Sequence, residues 1–199
     1  METGAVDIRK GGARMKTLSG KKVLFVISQD GFRDEELAHP RDEVAAAGAA
    51  VEVAAREKAP ARGMLGAVEN PDLRIRDARA ADYNAVVAVG GRGTPEHLWN
   101  DGDLHRLLRE AHAGGKVVGG ICLSGATLAI AGVLKGVEAT CFPTDASRKQ
   151  MKKGGATFVE RPVVVSGKIV TADGPGAARE FGRALVAALA KEETGTAAS

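Results

Sequence analysis

A short stretch, KVVGGICLSG from Lys116 to Gly125, decides the fold of this chain and indicates where its functional centre lies. Its first half is an apolar, β-branched run that predicts a buried strand. Glycines at 119, 120 and 125 flank Cys122, as a sharp strand-to-helix turn requires where larger side chains would collide. We therefore expect Cys122 on a turn that resembles a nucleophile elbow, with sulfur in place of the serine oxygen.

On both sides of this segment, short apolar runs alternate with helical patterns, and this alternation predicts a mostly parallel sheet. The predicted strands are Val23–Ser28, Val51–Ala55, Ala85–Val89, Lys116–Ile121, a short one near Ala139, and a hairpin of Val163–Ser166 with Lys168–Thr171. The predicted helices are Asp34–Ala47, Pro95–Ala113, Ser124–Ala131, Asp145–Lys153 and Ala177–Lys191. Residues 56–81 are expected to form a small hairpin with loops. The class is α/β, a three-layer sandwich with helices on both faces of the sheet.

Length and charge limit the possible partners. The 199 residues predict one domain over residues 21–191, with residues 1–20 as a disordered tail or tag and residues 192–199 as a second disordered tail. Lys and Arg number 28 against 25 Asp and Glu, with no basic stripe, so no nucleic-acid partner is expected. Without a long apolar run or a signal peptide, we expect no membrane partner and a cytoplasmic location.

The chemistry is expected to be that of a thiol. Two cysteines are too few for a disulfide framework, and with four scattered histidines they offer no metal-ligand spacing, so neither a metal nor a cofactor is predicted. A thiol at a helix N-terminus has a lowered pKa, and the N–H groups of Leu123 and Gly91 could donate to an oxyanion. The alternative is that Cys122 is a small buried apolar residue.

Several motifs together resemble the ThiJ/PfpI superfamily, which includes the intracellular protease I group and the parkinsonism-associated protein deglycase. They are Asp34-Glu35-Glu36-Leu37-x-x-Pro40, Val89-Gly90-Gly91-Arg92, Gly120-Ile121-Cys122, Gly132-Val133-Leu134-Lys135-Gly136 and Gly174-Pro175-Gly176, within a similarity that runs from about residue 21 to 190. The resemblance implies a flavodoxin-like sandwich, with Cys122 as the reactive cysteine and Glu36 as the carboxylic acid hydrogen-bonded to it. It also implies that Glu96, or the adjacent His97, could reach the thiol of a neighbouring subunit.

The chain departs from these relatives at two positions beside the thiol. Leu123 and Phe142 stand where family members place histidine. Two functions therefore remain: a stress-response cysteine hydrolase, peptidase, deglycase or glyoxalase-like enzyme of reduced or unknown activity, and a non-catalytic redox sensor or oxidant buffer. The expected partners are a small carbonyl compound or an oxidant, and further copies of the chain. A homodimer is favoured, with Leu37, Ala38 and Val44 on a possible interface.

Overall fold

The computed structural model describes residues 18–191. Its strands are β1 (Lys22–Val26), β2 (Asp30–Phe32), β3 (Ala50–Ala55), β4 (Ala61–Gly63), β5 (Val68–Glu69), β6 (Leu73–Arg74), β7 (Ala85–Ala88), β8 (Val117–Ile121), β9 (Glu138–Ala139), β10 (Thr157–Phe158), β11 (Val163–Ser166) and β12 (Ile169–Ala172). Its helices are α1 (Asp34–Ala46), α2 (Thr94–His97), α3 (Gly102–Ala113), α4 (Ser124–Ala131), α5 (Asp145–Lys153) and α6 (Ala178–Ala190).

Seven strands form the central sheet, in the order β11-β12-β8-β7-β1-β3-β6. Every neighbouring pair is parallel except β11 and β12, which form the predicted antiparallel hairpin. The chain runs outward from β1 to β3 and β6, then returns to β7 on the other side of β1. The loops after β1 and β7 therefore diverge, and they open a crevice at the carboxyl ends of these strands, where ligands bind in such sheets.

The sheet separates two apolar layers. Val23 and Phe25 of β1 face the layer that contains Phe181 and Leu185 of α6, whereas Leu24 lies in the layer with α3 and α4. Successive side chains of a strand point to opposite faces, so a strand buried on both faces reads as a continuous apolar run. The predicted three-layer α/β sandwich is confirmed.

The region between β3 and β7 is more ordered than the sequence indicates. The predicted hairpin is present as β4 and β5, and β2 joins it in a separate three-stranded sheet. The two-residue β6 extends the central sheet next to β3. Neither β2 nor β6 was predicted, because strands of two or three residues carry no measurable period.

The predicted helix over residues 95–113 is two helices. The first, α2, ends at His97, and Asp101 caps the start of α3, since its carboxylate accepts a hydrogen bond of 2.8 Å from the N–H of Leu104. The expected interface on α1 is also wrong in part. Leu37 and Val44 are 2 % and 0 % exposed within the chain's own core, where α1 packs against α6, so neither side chain can reach another subunit.

The first described residue, Leu18, belongs to the core although it falls within the expected tail of residues 1–20. Its side chain is fully buried, and its N–H donates to the carbonyl of Ala47. The folded part therefore includes residues 18–20. The remainder of that expected tail, and the expected tail of residues 192–199, lie outside the described residues.

Replacing Leu18 by Ala should lower the free energy of unfolding by about 2–4 kcal/mol, because the change leaves a cavity in the core. Leu65→Ala is the matched control, since Leu65 is 61 % exposed and its loss should cost less than about 0.5 kcal/mol. Urea unfolding of both variants measures the difference. Equal values would show that residue 18 does not belong to the folded part.

Candidate active site

The elbow at Cys122 has an unusual backbone conformation. Within residues 18–191, Cys122 is the only residue other than glycine with a positive φ, at 59°. Three backbone hydrogen bonds hold it there. Its N–H donates to the carbonyl of Ala172 over 2.8 Å, and its carbonyl accepts from the N–H of Gly125 and of Phe142. A left-handed residue between a strand and a helix lifts its side chain out of the sheet, which is the predicted elbow.

The glycines around the elbow are required by close packing. A Cβ atom on Gly120 would lie 2.8 Å from Cδ1 of Leu128, and one on Gly125 would lie 2.5 Å from the carbonyl oxygen of Thr140. Both distances are shorter than a carbon atom tolerates. The turn can form only because these positions have no side chain, as the sequence argument assumed.

Two side-chain hydrogen bonds fix the start of α4. The hydroxyl of Ser124 donates to the carbonyl of Val89 over 2.8 Å, which ties the helix to the end of β7. The indole N–H of Trp99 donates to the carbonyl of Leu123 over 3.1 Å. Neither contact was predicted from the sequence, because they join residues 24 and 35 positions apart.

Glu36 and Cys122 meet above Gly90. A Cβ atom on Gly90 would lie 2.5 Å from Oε2 of Glu36 and 2.6 Å from Cβ of Cys122. The carboxyl group of α1 and the thiol of the elbow therefore share a space that exists because residue 90 has no side chain. The structure brings together the two residues that the resemblance paired.

The Glu36 carboxyl is fully buried, and neither of its oxygens makes a geometrically satisfactory hydrogen bond within residues 18–191. Burial raises its pKa to about 7 because the charged form loses its hydration. The nearby Cys122 thiol, and then the positive charge of Arg33, partly oppose this rise in pKa. Glu36 can therefore hold a proton close to neutral pH, where an ordinary glutamate cannot.

The thiol departs from expectation. The pKa of Cys122 is raised rather than lowered, first by burial and then by the charge of the Glu36 carboxylate. The N–H groups of Leu123 and Gly91 do act on the sulfur and lower its pKa, but they are outweighed. The pKa expected from the sequence took account of the helix N-terminus and not of burial. Cys122 is only 7 % exposed, and this burial has the larger effect on its pKa. A negative charge on either group makes ionisation of the other less favourable. The two groups therefore titrate as a pair: one proton is lost first, and the second is held to higher pH.

A cavity of about 230 Å³ opens onto this pair. Its walls combine the predicted site residues with others that the sequence did not indicate, and they consist of Arg33, Glu36, Met64, Gly91, Arg92, Cys122, Leu123, Phe142 and Pro175. Glu96 and His97 do not reach it. They line a separate cavity of about 370 Å³ together with Arg56, Asn100 and Asp103, so within one chain they do not line the thiol site.

Met64 reaches the cavity because the β4–β5 turn is tied to α1. The Asp34 carboxylate accepts hydrogen bonds of 2.9 Å and 2.8 Å from the N–H groups of Leu65 and Ala67. A carboxylate in the first turn of a helix is a common sequence pattern, and only the fold shows that a hairpin turn lies against it.

Within residues 18–191, no three His, Cys, Asp or Glu side chains come close enough to form a metal site. No helix in this part is both long and apolar enough to span a bilayer.

The model of the DJ-1/PfpI family matches residues 21–188, which is most of the chain. The chain belongs to this family. An uncharacterised protein from Methanocaldococcus jannaschii is 40 % identical over 92 % of this chain and 90 % of its own length. A deglycase from Thermococcus kodakarensis is 33 % identical over 77 % of this chain and 90 % of its own. Other DJ-1/PfpI relatives are named deglycases and a glutathione-independent glyoxalase.

Among solved structures, a ThiJ/PfpI domain protein from Brachyspira murdochii superposes with a TM-score of 0.81 at 34 % identity. The superposition covers 86 % of this chain and 99 % of that one. The DJ-1/PfpI fold thus accounts for nearly all of the described residues, including every element that carries the site.

The raised pKa of Glu36 predicts how stability depends on pH. The folded state retains a proton up to about pH 7 that the unfolded state releases near pH 4.5. The stabilisation by the neutral carboxyl is therefore complete below pH 4.5 and is lost as pH rises towards 7, by up to about 3 kcal/mol. The free energy of unfolding of the native protein should therefore fall by this amount, relative to that of Glu36→Gln, as the pH rises from 4.5 to 8. Parallel urea titrations that keep a constant difference would contradict the assignment.

Thiol reactivity tests the coupling between the two groups. Glu36→Gln removes the carboxylate charge and keeps a hydrogen-bond donor, so the alkylation midpoint of Cys122 should fall below that of the native protein. Glu36→Leu removes the donor as well, and its midpoint should be higher than that of the Gln variant. Iodoacetamide labelling across pH, read by mass spectrometry of the Cys122 peptide, gives the midpoints, with the fully buried Cys141 as internal reference. Identical midpoints in both variants would exclude a hydrogen bond from residue 36.

Proposed function

We propose that this chain is a cysteine-dependent enzyme of the deglycase or glyoxalase kind that acts on small carbonyl compounds. The observation that carries the proposal is the buried Cys122–Glu36 pair at the floor of a cavity at the carboxyl ends of the sheet. A thiol beside a group that can accept and return its proton near neutral pH is the minimum that nucleophilic catalysis requires. The names of the relatives support the same class of reaction.

The first chemical step follows from the geometry. The proton of the Cys122 thiol passes to the Glu36 carboxylate, and the sulfur attacks the carbonyl carbon of the substrate. A carbon–sulfur bond forms while the electron pair of the carbonyl double bond moves to its oxygen. That oxygen then takes the proton from Glu36, which yields a neutral hemithioacetal. The N–H groups of Leu123 and Gly91, which already contact the sulfur, are the donors available to the oxygen as its charge develops.

The size of the cavity favours a small substrate. About 230 Å³ lies below the range that holds a drug-sized ligand, so a short carbonyl compound fits better than an extended peptide. Met64, Phe142 and Pro175 supply a largely apolar wall. These observations support a deglycase or glyoxalase over a peptidase.

A turnover assay tests the proposal. The native protein should convert methylglyoxal, a 2-oxoaldehyde, to a 2-hydroxy acid by net addition of water, and should release amines from glycated peptides. Cys122→Ser and Glu36→Gln should each lower kcat by about 100-fold or more, because one loses the nucleophile and the other the proton carrier. Cys141→Ala is the control for loss of a thiol, and its turnover should match that of the native protein. Absence of turnover in the native protein would refute the enzymatic function.

One observation favours the second function, a redox sensor. Within residues 18–191 no imidazole lines the cavity, because Leu123 and Phe142 occupy the positions beside the thiol. Turnover then depends on Glu36 alone, whereas oxidation needs only an accessible thiolate that attacks peroxide to give a sulfenic acid and hydroxide. Graded peroxide followed by mass spectrometry should oxidise Cys122 before Cys141. This order together with absent turnover would establish the redox function in place of the enzymatic one.

Other expectations stay predictions. They are the homodimeric or larger assembly, the cytoplasmic location, the role in stress and the lack of nucleic-acid and membrane partners. If light scattering shows a hexamer, Glu96 and His97 become candidates for an intermolecular contact, since their cavity lies at the surface of the chain.

A further inference from the structure

The Cys122 cavity is lined by an exposed arginine that has no acidic partner within residues 18–191. Two arginines line it, Arg33 and Arg92. Arg33 forms a two-point ion pair with Glu35, with distances of 2.8 Å and 3.1 Å, so its charge is already compensated. The side chain of Arg92, by contrast, has neither an ion pair nor a hydrogen bond within residues 18–191.

The other groups around Arg92 also favour a negatively charged ligand. The other acidic group of the cavity, Glu36, is buried and neutral when it holds its proton. The N–H groups of Gly91 and Leu123 add donors that point to the sulfur. The remaining wall is mostly apolar and contributes no negative charge. A negatively charged group beside Arg92 would find a guanidinium and no exposed carboxylate in the cavity wall, since the one carboxyl group among the lining residues, that of Glu36, is fully buried.

We propose that Arg92 binds a carboxylate on the compound that reacts with Cys122, so that anionic carbonyl compounds are preferred over neutral ones of the same size. This specificity rests on the proposed function for its biological meaning. A guanidinium fits a carboxylate with two parallel hydrogen bonds, which adds direction to the attraction. Because Arg92 directly follows Gly91, its side chain starts next to the sulfur site. The preferred compound therefore has its carboxylate a few bonds from the carbonyl carbon.

Two alkylating agents of nearly equal size test the charge preference without any need for turnover. Iodoacetate is anionic and iodoacetamide is neutral. Both form a bond from the Cys122 sulfur to carbon and release iodide with its electron pair. The ratio of their rates cancels any change in the thiolate fraction, since both reagents meet the same thiol. Arg92→Met should lower the iodoacetate-to-iodoacetamide ratio by about fivefold, and Arg92→Lys should restore most of it.

Arg62→Met is the matched control. Arg62 is also exposed, lies on β4 and does not line the cavity, so its loss should leave the ratio as in the native protein. A ratio that is unchanged in Arg92→Met overturns the proposal, as does an equal fall in Arg62→Met. If Arg92→Met does not fold, the charge preference can be measured in the native protein by a protection experiment. Acetate, but not acetamide, should then protect Cys122 from iodoacetamide, and equal protection by both would overturn the proposal.

Turnover extends the test to substrates. 4,5-Dioxopentanoate is a 2-oxoaldehyde with a terminal carboxylate, and 2-oxohexanal is an uncharged 2-oxoaldehyde of similar length. The ratio of kcat/KM for the charged over the neutral compound should fall about fivefold in Arg92→Met, mainly through KM. If neither compound is converted by the native protein, the enzymatic function fails, and the alkylation ratio alone decides the charge preference. Conversion of both without preference would refute the specificity and leave the enzymatic function standing.

Discussion

The left-handed backbone of Cys122 is the constraint on which the rest of the site depends. A residue with a Cβ atom at a φ of 59° is strained by roughly 1 kcal/mol or more, and it persists only where its surroundings allow no alternative. Here the end of β12, the first turn of α4 and the segment before α5 each bind the backbone of residue 122. The glycines on either side are consequences of this one conformation, since each removes a side chain that would overlap a neighbour.

A second constraint is the burial of a carboxyl group next to a thiol. The sheet and the layer of α1 and α6 exclude water from Glu36, and no donor with good geometry compensates it among the described residues. This arrangement lowers stability above neutral pH, because Glu36 ionises more readily in the unfolded chain than in its buried position. The same lack of hydration places its proton affinity near neutrality, where a proton can be accepted and returned. Stability is thus reduced at the position of the proposed chemistry.

The lining of the cavity determines which groups can assist the thiol. No imidazole lines it within the described residues, so in the proposed mechanism proton transfer falls to Glu36. Arg92 lines the same cavity and has no acidic partner there. The proposed preference for anionic compounds follows from this guanidinium, and it applies equally to turnover and to modification of Cys122.

The sequence by itself determined the sheet, most helices and the elbow, because these depend on local patterns. Buried parallel strands appear as apolar runs, and a glycine-flanked cysteine after such a run has few other placements. The resemblance added Glu36. The tertiary structure alone decided the direction of the Cys122 pKa shift, the break at Asp101, the core positions of Leu18 and Leu37, and the contacts of Asp34 and Trp99. Burial and hydrogen bonds between distant residues depend on which surfaces the fold brings together, and no local pattern contains that information.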